Sequence, residues 1–169
     1  MRLDKQPPRT LVIGYGNIDR ADDGVAFCIV NALRRRLGQA MLGEDNTGLD
    51  ELGADLDSIF VVQLTPDLAD VLADYRQVIF VDAHVYEGVN DLHCAPVSAE
   101  FTLSTFTHHM TPSSLLALSE LMHSPGPTGQ LVSVRGFDFD FHRDLSPGAK
   151  ELVDPAAQYI LQLAASVPA

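Results

Sequence analysis

Three short polar segments hold the residues able to do chemistry. The first, Gly14-Tyr15-Gly16-Asn17-Ile18-Asp19-Arg20-Ala21-Asp22-Asp23-Gly24, joins a glycine loop to two carboxylates at the start of a helical segment. Glycine lets backbone approach closely, and the positive end of a helix stabilises carboxylates as anions, available as ligands or bases. The second is Asp82, which ends the apolar run Val78-Ile79-Phe80-Val81 and reads as a carboxylate at the C-terminal tip of a buried strand. The third is Thr107-His108-His109-Met110-Thr111-Pro112, two histidines just before a helix. Adjacent residues of an extended segment point in opposite directions, so one of the two faces a given site. Together these segments offer Asp, Asp and His at one rim, an oxygen and nitrogen set suited to a first-row divalent cation with positions left open for exchange or catalysis. Each also has a plainer reading: a tight turn with N-terminal helix acids, a loop-capping Asp, and a surface histidine.

Other chemistries fit less well. The third glycine of a dinucleotide fingerprint is missing, two acids stand where a pyrophosphate would dock, and no lysine follows in P-loop spacing. Neither Cys28 nor Cys94 follows a glycine elbow, and no serine motif of that kind occurs, which argues against a covalent nucleophile. The two cysteines lack paired or metal-type spacing and read as small buried hydrophobes in a reducing, cytoplasmic setting. His84, His93, His123 and His142 have no comparable neighbours in sequence.

The elements that must position these groups follow from periodicity. Leu11-Val12-Ile13 is a buried strand ending in the glycine loop, and Val25, Ala26, Ile29, Val30, Leu33 and Leu37 fall at helical spacing between about Asp22 and Leu37. The basic run Arg34-Arg35-Arg36 suits the C-terminal end of that helix. An acidic loop from about Gly38 to Ser58 comes next, within a stretch from Leu37 to Tyr75 that has no Lys or Arg. Ile59 to Val62 is a second buried strand, Pro66 to Ala73 a short helix, and Val78 to Val81 a third strand. A strand at Leu92 to Val97, a helix at Pro112 to Met122 capped by Thr111, a strand at Leu131 to Val134 and a helix from Pro147 onward complete the series. Pro155 should break or kink the last of these. Alternating strands and helices give an α/β domain of three layers with a mostly parallel sheet, and no linker or repeat divides residues 1–169. In such a sheet function collects at the C-terminal ends of the strands.

Composition narrows the partners. Of the 169 residues, 46% are hydrophobic, enough to bury a core without staples. Eleven Lys and Arg against 23 Asp and Glu leave a net charge of −12, which repels phosphate backbones and anionic lipid surfaces. Nucleic acid and membrane are therefore not expected partners. The N-terminal residues lack an apolar core of signal-peptide length, and no stretch reaches the ~18 apolar residues of a membrane span.

Leu11-Val12-Ile13-Gly14-Tyr15-Gly16-Asn17, then Asp22-Asp23-Gly24, then Asp82-Ala83, then His108 eight residues before Leu116, resemble the hydrogenase maturation protease family in order and spacing. The resemblance runs through Leu145-Ser146-Pro147 and so covers most of the chain. It implies a compact α/β/α sandwich and an endopeptidase that removes the C-terminal extension of a nickel-iron hydrogenase large-subunit precursor after nickel insertion. It further implies Asp23 and Asp82 as the two carboxylates and His108 as the histidine of the metal-reading set. The carboxylates could also serve the hydrolysis. Asp22 and His109 are the alternatives at a shift of one residue. Nickel would be presented by the precursor rather than permanently bound. Two departures bear on substrate choice: Gln63-Leu64-Thr65-Pro66 stands where the family commonly has a glycine-rich stretch, and the acidic loop is longer than usual. Two other classes compete. A non-catalytic module binding precursor or metal would use the same rim. A peptidyl-tRNA hydrolase shares the opening Gly-x-Gly-Asn, but the acidic charge disfavours an RNA substrate.

Overall fold

The computed structural model describes residues 9–102 and 109–167. The apolar runs form the strands β1 (Thr10–Tyr15), β2 (Leu56–Val61) and β3 (Gln77–His84), with β4 (Leu92–Val97) and β5 (Thr128–Arg135) after them. Between them lie α1 (Val25–Arg36), α2 (Leu68–Leu72), α3 (Pro112–Met122) and α4 (Pro147–Ala165). Sheet order is β2-β1-β3-β5-β4, parallel except for the antiparallel β4–β5 pair. The fold is therefore α/β with a mostly parallel five-stranded sheet. β4 occupies an edge, where Pro96 costs no ladder hydrogen bond on its open side.

The central strands β1 and β3 carry apolar runs because both faces are covered there. Val12, Ile79, Val81, Val132 and Val134 pack under Val25, Ile29 and Leu33 of α1 and Ala156, Ala157 and Ile160 of α4. Leu11, Ile13, Val78 and Phe80 pack on the other face under Leu68 and Leu72 of α2 and Leu115 and Leu116 of α3. Gly14 permits the close seating of α1 on β1, since a Cβ there would lie 2.8 Å from a Val30 methyl. Thr111 caps α3 by accepting from the Ser114 amide at 3.1 Å, and Ser146 caps α4 by accepting from the Ala149 amide at 3.2 Å.

Several boundaries differ from the sequence expectation. β2 starts at Leu56, so the acidic segment is shorter than Gly38 to Ser58, and its ends are tied down. Asp57, buried on β2, accepts from Arg9 at 2.9 Å and from the Tyr75 hydroxyl at 2.6 Å, while Asn31 of α1 holds Leu42 by two backbone contacts. Pro155 does not break α4, which runs on to Ala165. The ring sits on the exposed side, and the lost hydrogen bond is offset by the apolar stripe that packs on α1. β3 continues two residues past Asp82 to His84, so the carboxylate lies on the strand rather than at its tip. Cys28 and Cys94 are half-buried free thiols rather than fully buried ones.

Candidate active site

Strand order reverses between β1 and β3: the chain leaves β1 for β2 on one side and returns to β3 on the other. Such a switch point opens a crevice at the C-terminal ends of the strands. Asp23 arrives there from the loop after β1, and Asp82 from β3.

The loop is held in one shape by contacts that leave little choice of residue. Gly16 has φ +145, and a Cβ there would lie 2.1 Å from the Asp23 carbonyl oxygen, so only glycine fits. The Asn17 amide donates to Asp23 Oδ2 at 2.9 Å, fixing that carboxylate. Ala21 adopts a left-handed φ of 48, a strained conformation for a residue with a Cβ. It is clamped there by its own amide on the His142 carbonyl and by the Asp22 amide on the Asp138 carbonyl.

The adjacent acids have separate positions. Asp22 is 0% exposed and points away from the crevice into the loop before α4. Its carboxylate accepts from the Phe137 and Asp138 amides at 2.7 and 3.0 Å and from the Ser146 amide and hydroxyl at 2.8 and 2.7 Å. Burial acts to raise its pKa, but the Ser146 hydroxyl and these amides together bring it below the usual carboxylate range. Asp23 instead lines the crevice with Asp82. The alternative that Asp22 serves in place of Asp23 therefore conflicts with the direction of its side chain.

Asp82 is the electrostatically unusual group. Burial is the main reason its pKa is pushed up to about 6, and the negative charge of Asp23 adds to the rise. The Ala83 amide, at 2.7 Å from Oδ1, and the Tyr15 hydroxyl oppose the rise without cancelling it. Tyr15 is in turn held protonated by burial and by Asp82. A carboxyl balanced near pH 6 suits a group that takes up and gives back a proton, and two neighbouring carboxylates suit a cation that relieves their repulsion.

Asp23 and Asp82 stand between two cavities. One, of about 380 Å³, is shared with Tyr15, Gly16, Asn17 and the exposed His109. The other, of about 620 Å³, is shared with His84, His93 and Ser133. His108 lies outside the described residues, so the expected three-residue set is seen only as its two carboxylates. Among the described residues no group of three His, Cys, Asp or Glu side chains is already arranged to hold a metal ion. Tyr15, His84, His93 and Ser133 were not singled out as site residues from the sequence. Tyr15 is inside the glycine loop, and His84 is two residues past Asp82 on a strand, so period-two alternation was the available signal for it.

No family model and no curated protein matches the chain. In three dimensions it has the fold of solved hydrogenase maturation proteases. It is similar to the hydrogenase maturating endopeptidase HybD from E. coli, with a TM-score of 0.65 and 19% identity over 92% of this chain and 91% of that one. The nickel-iron hydrogenase maturation protease HycI from Thermococcus kodakarensis gives a TM-score of 0.66 and 16% identity over 96% of each chain. A further endopeptidase from Escherichia coli gives 0.63 and 21% over 91% of this chain and 90% of that one. At these identities the likeness is one of fold.

The pH dependence has a definite sign. If the ionised form of Asp82 is the working one, kcat/KM should fall as pH drops below about 6 and level off above pH 7. A rate profile between pH 4.5 and 8, with melts to verify folding, checks this. A flat profile would separate Asp82 from the chemistry.

Proposed function

We propose that the protein is an endopeptidase of the hydrogenase maturation type, acting in the cytoplasm on a nickel-iron hydrogenase large-subunit precursor and removing its C-terminal extension after nickel insertion. The observation that carries this reading is the pair Asp23 and Asp82 facing one crevice at the switch point of the sheet. The fold shared with HybD and HycI supports the reaction class. No helix among the described residues is long and apolar enough to cross a membrane.

In this mechanism Asp82 takes a proton from the water that attacks the scissile carbonyl, a role suited to its raised pKa. It returns that proton to the amine nitrogen as the C–N bond breaks, leaving a carboxylate on one product and an amine on the other. Asp23, fixed by the Asn17 amide, holds the second negative charge beside it. The nickel belongs to the substrate. Asp23, Asp82 and His108 are the residues proposed to meet it, with His109 the alternative for the histidine. A precursor lacking nickel leaves the two carboxylates repelling each other, and it is refused for that reason.

The test is processing of nickel-loaded and nickel-free precursor by the wild-type protein, His108→Ala and His109→Ala. Cleavage is expected only of the loaded form, with at least tenfold loss in one histidine variant and near-normal activity in the other. Loss in His108→Ala keeps that assignment, and loss confined to His109→Ala moves it by one residue. A wild-type protein that binds the loaded precursor without cutting it would be a non-catalytic maturation module.

A further inference from the structure

The larger cavity has a polar wall that extends beyond the groups the hydrolytic mechanism uses. Asp82 of β3, Ser133 of β5 and His93 of β4 are in direct register and share one face of the sheet. His84, two residues past Asp82, is on the same face and only 7% exposed. Its Nδ1 is 2.8 Å from the Ser133 hydroxyl oxygen, which orients the ring. Its Nε2 is buried and has no well-aligned hydrogen-bond partner among the described residues, although the Asn90 backbone interacts with the ring. A buried polar atom left without a partner is costly, and such atoms in native proteins call for a ligand or a specific task. The remaining wall is mostly apolar, with Val89, Ala95, Leu131 and Phe139 alongside Tyr86 around a space of about 620 Å³. Asp23 and Asp82 close its inner side with negative charge.

We infer that this cavity is a substrate side-chain subsite beside Asp82, taking a residue with an apolar stem and a neutral or cationic hydrogen-bonding end that meets His84 Nε2. This rests on the peptidase reading for the identity of the substrate, not for the existence of the pocket. The apolar wall accepts the stem, the orphan nitrogen rewards a polar end, and the two carboxylates exclude a carboxylate end. His84 is thus a specificity-determining residue, and Ser133 a positioning residue for it.

Two measurements test the subsite separately from the reaction. In the full-length protein with nitrogen-15-labelled histidines, the His84 Nε2 resonance, assigned by its absence in His84→Phe, is followed on adding n-butylguanidinium, pentanamide or pentanoate. Saturable shifts are expected with the first two and not with pentanoate. No saturable shift with any probe, or an equal shift with pentanoate, overturns the proposal. In the second, His84→Phe processes precursors in which each residue flanking the scissile bond is replaced in turn by leucine. The variant should lose about tenfold in kcat/KM on the native junction and less than about twofold where the subsite residue has become leucine. Equal loss on every junction would make His84 merely structural. Failure of the wild-type protein to cleave any precursor would sink the peptidase reading while leaving the probe titration to decide the subsite.

Discussion

Asp82→Asn is expected to abolish precursor processing and, at neutral pH, to raise the melting temperature. The carboxyl has its pKa pushed up to about 6 from an ordinary 3.8, chiefly by burial. The folded protein therefore binds that proton more tightly than the unfolded chain does. Ionising Asp82 costs stability, a cost absent below pH 4, growing between pH 4 and 6, and complete above pH 6. Two pKa units correspond to about 3 kcal/mol as an upper bound. The amide of asparagine fills the same space without charge and can still accept from the Ala83 amide, so most of that cost disappears. A gain of about 3 to 8 °C at pH 7 follows for a domain of this size. Catalysis moves the other way, because an amide can neither take a proton nor meet a cation as an anion, and a loss of at least about a hundredfold is expected. Melts at pH 7 and pH 4 with a parallel processing assay check both halves. A variant that still cleaves, or one less stable than wild type at pH 7, would contradict the assignment.

The second large effect belongs to the neighbouring acid. Asp22→Ala should cost about 3 to 5 kcal/mol, because it removes a buried acceptor from the Phe137, Asp138 and Ser146 amides and the Ser146 hydroxyl. Those donors, on partly exposed residues, would lose their charged acceptor together. Against the roughly 5 to 15 kcal/mol that holds a typical domain together, this brings the fold to the margin. Since the Asp22 pKa lies below its ordinary value, the stabilisation is present above the usual carboxylate range and is lost as pH falls through the lowered value. Asp23→Ala, by contrast, removes an acceptor whose one hydrogen bond among the described residues comes from the Asn17 amide, and it should cost under about 1 kcal/mol while removing activity. Urea unfolding of the two variants distinguishes them. Equal destabilisation would mean that the acids do not divide structure from chemistry in this way.

Much of this was legible in the sequence because it is local. The apolar runs ending at Ile13 and Val81 sufficed for β1 and β3, and Thr111 and Pro147 marked helix starts within their own turns. The glycine loop and Asp82 also stood out, since a turn cluster and an acid closing an apolar run need no distant partner to be recognised. What stayed hidden depends on distant residues. Asp22 and Asp23 are equivalent by composition and spacing, and only the arrival of residues 137–146 separates them. The direction of β4 was not inferred, although Pro96 already pointed to an edge. Pro155 reads as a break or a kink, and the helix is not broken there because the packing that carries it on comes from α1, more than a hundred residues earlier. His84 lacked neighbours in sequence, and its place depends on Ser133 across the sheet.

The clamp on Asp22 also sets an order of events during synthesis. Ser146 is at once the cap of α4 and the donor to Asp22, a contact spanning 124 residues. Until that segment has been made, the strained turn at Ala21 lacks the His142, Asp138 and Ser146 contacts that hold it, and Asp23 is left with the local Asn17 amide. So long a loop carries a larger closure entropy than the local turns do. A chain cut before Ser146 would keep every strand and both crevice carboxylates, yet it would lose the donors that hold Asp22 and with them the support of the strained turn at Ala21.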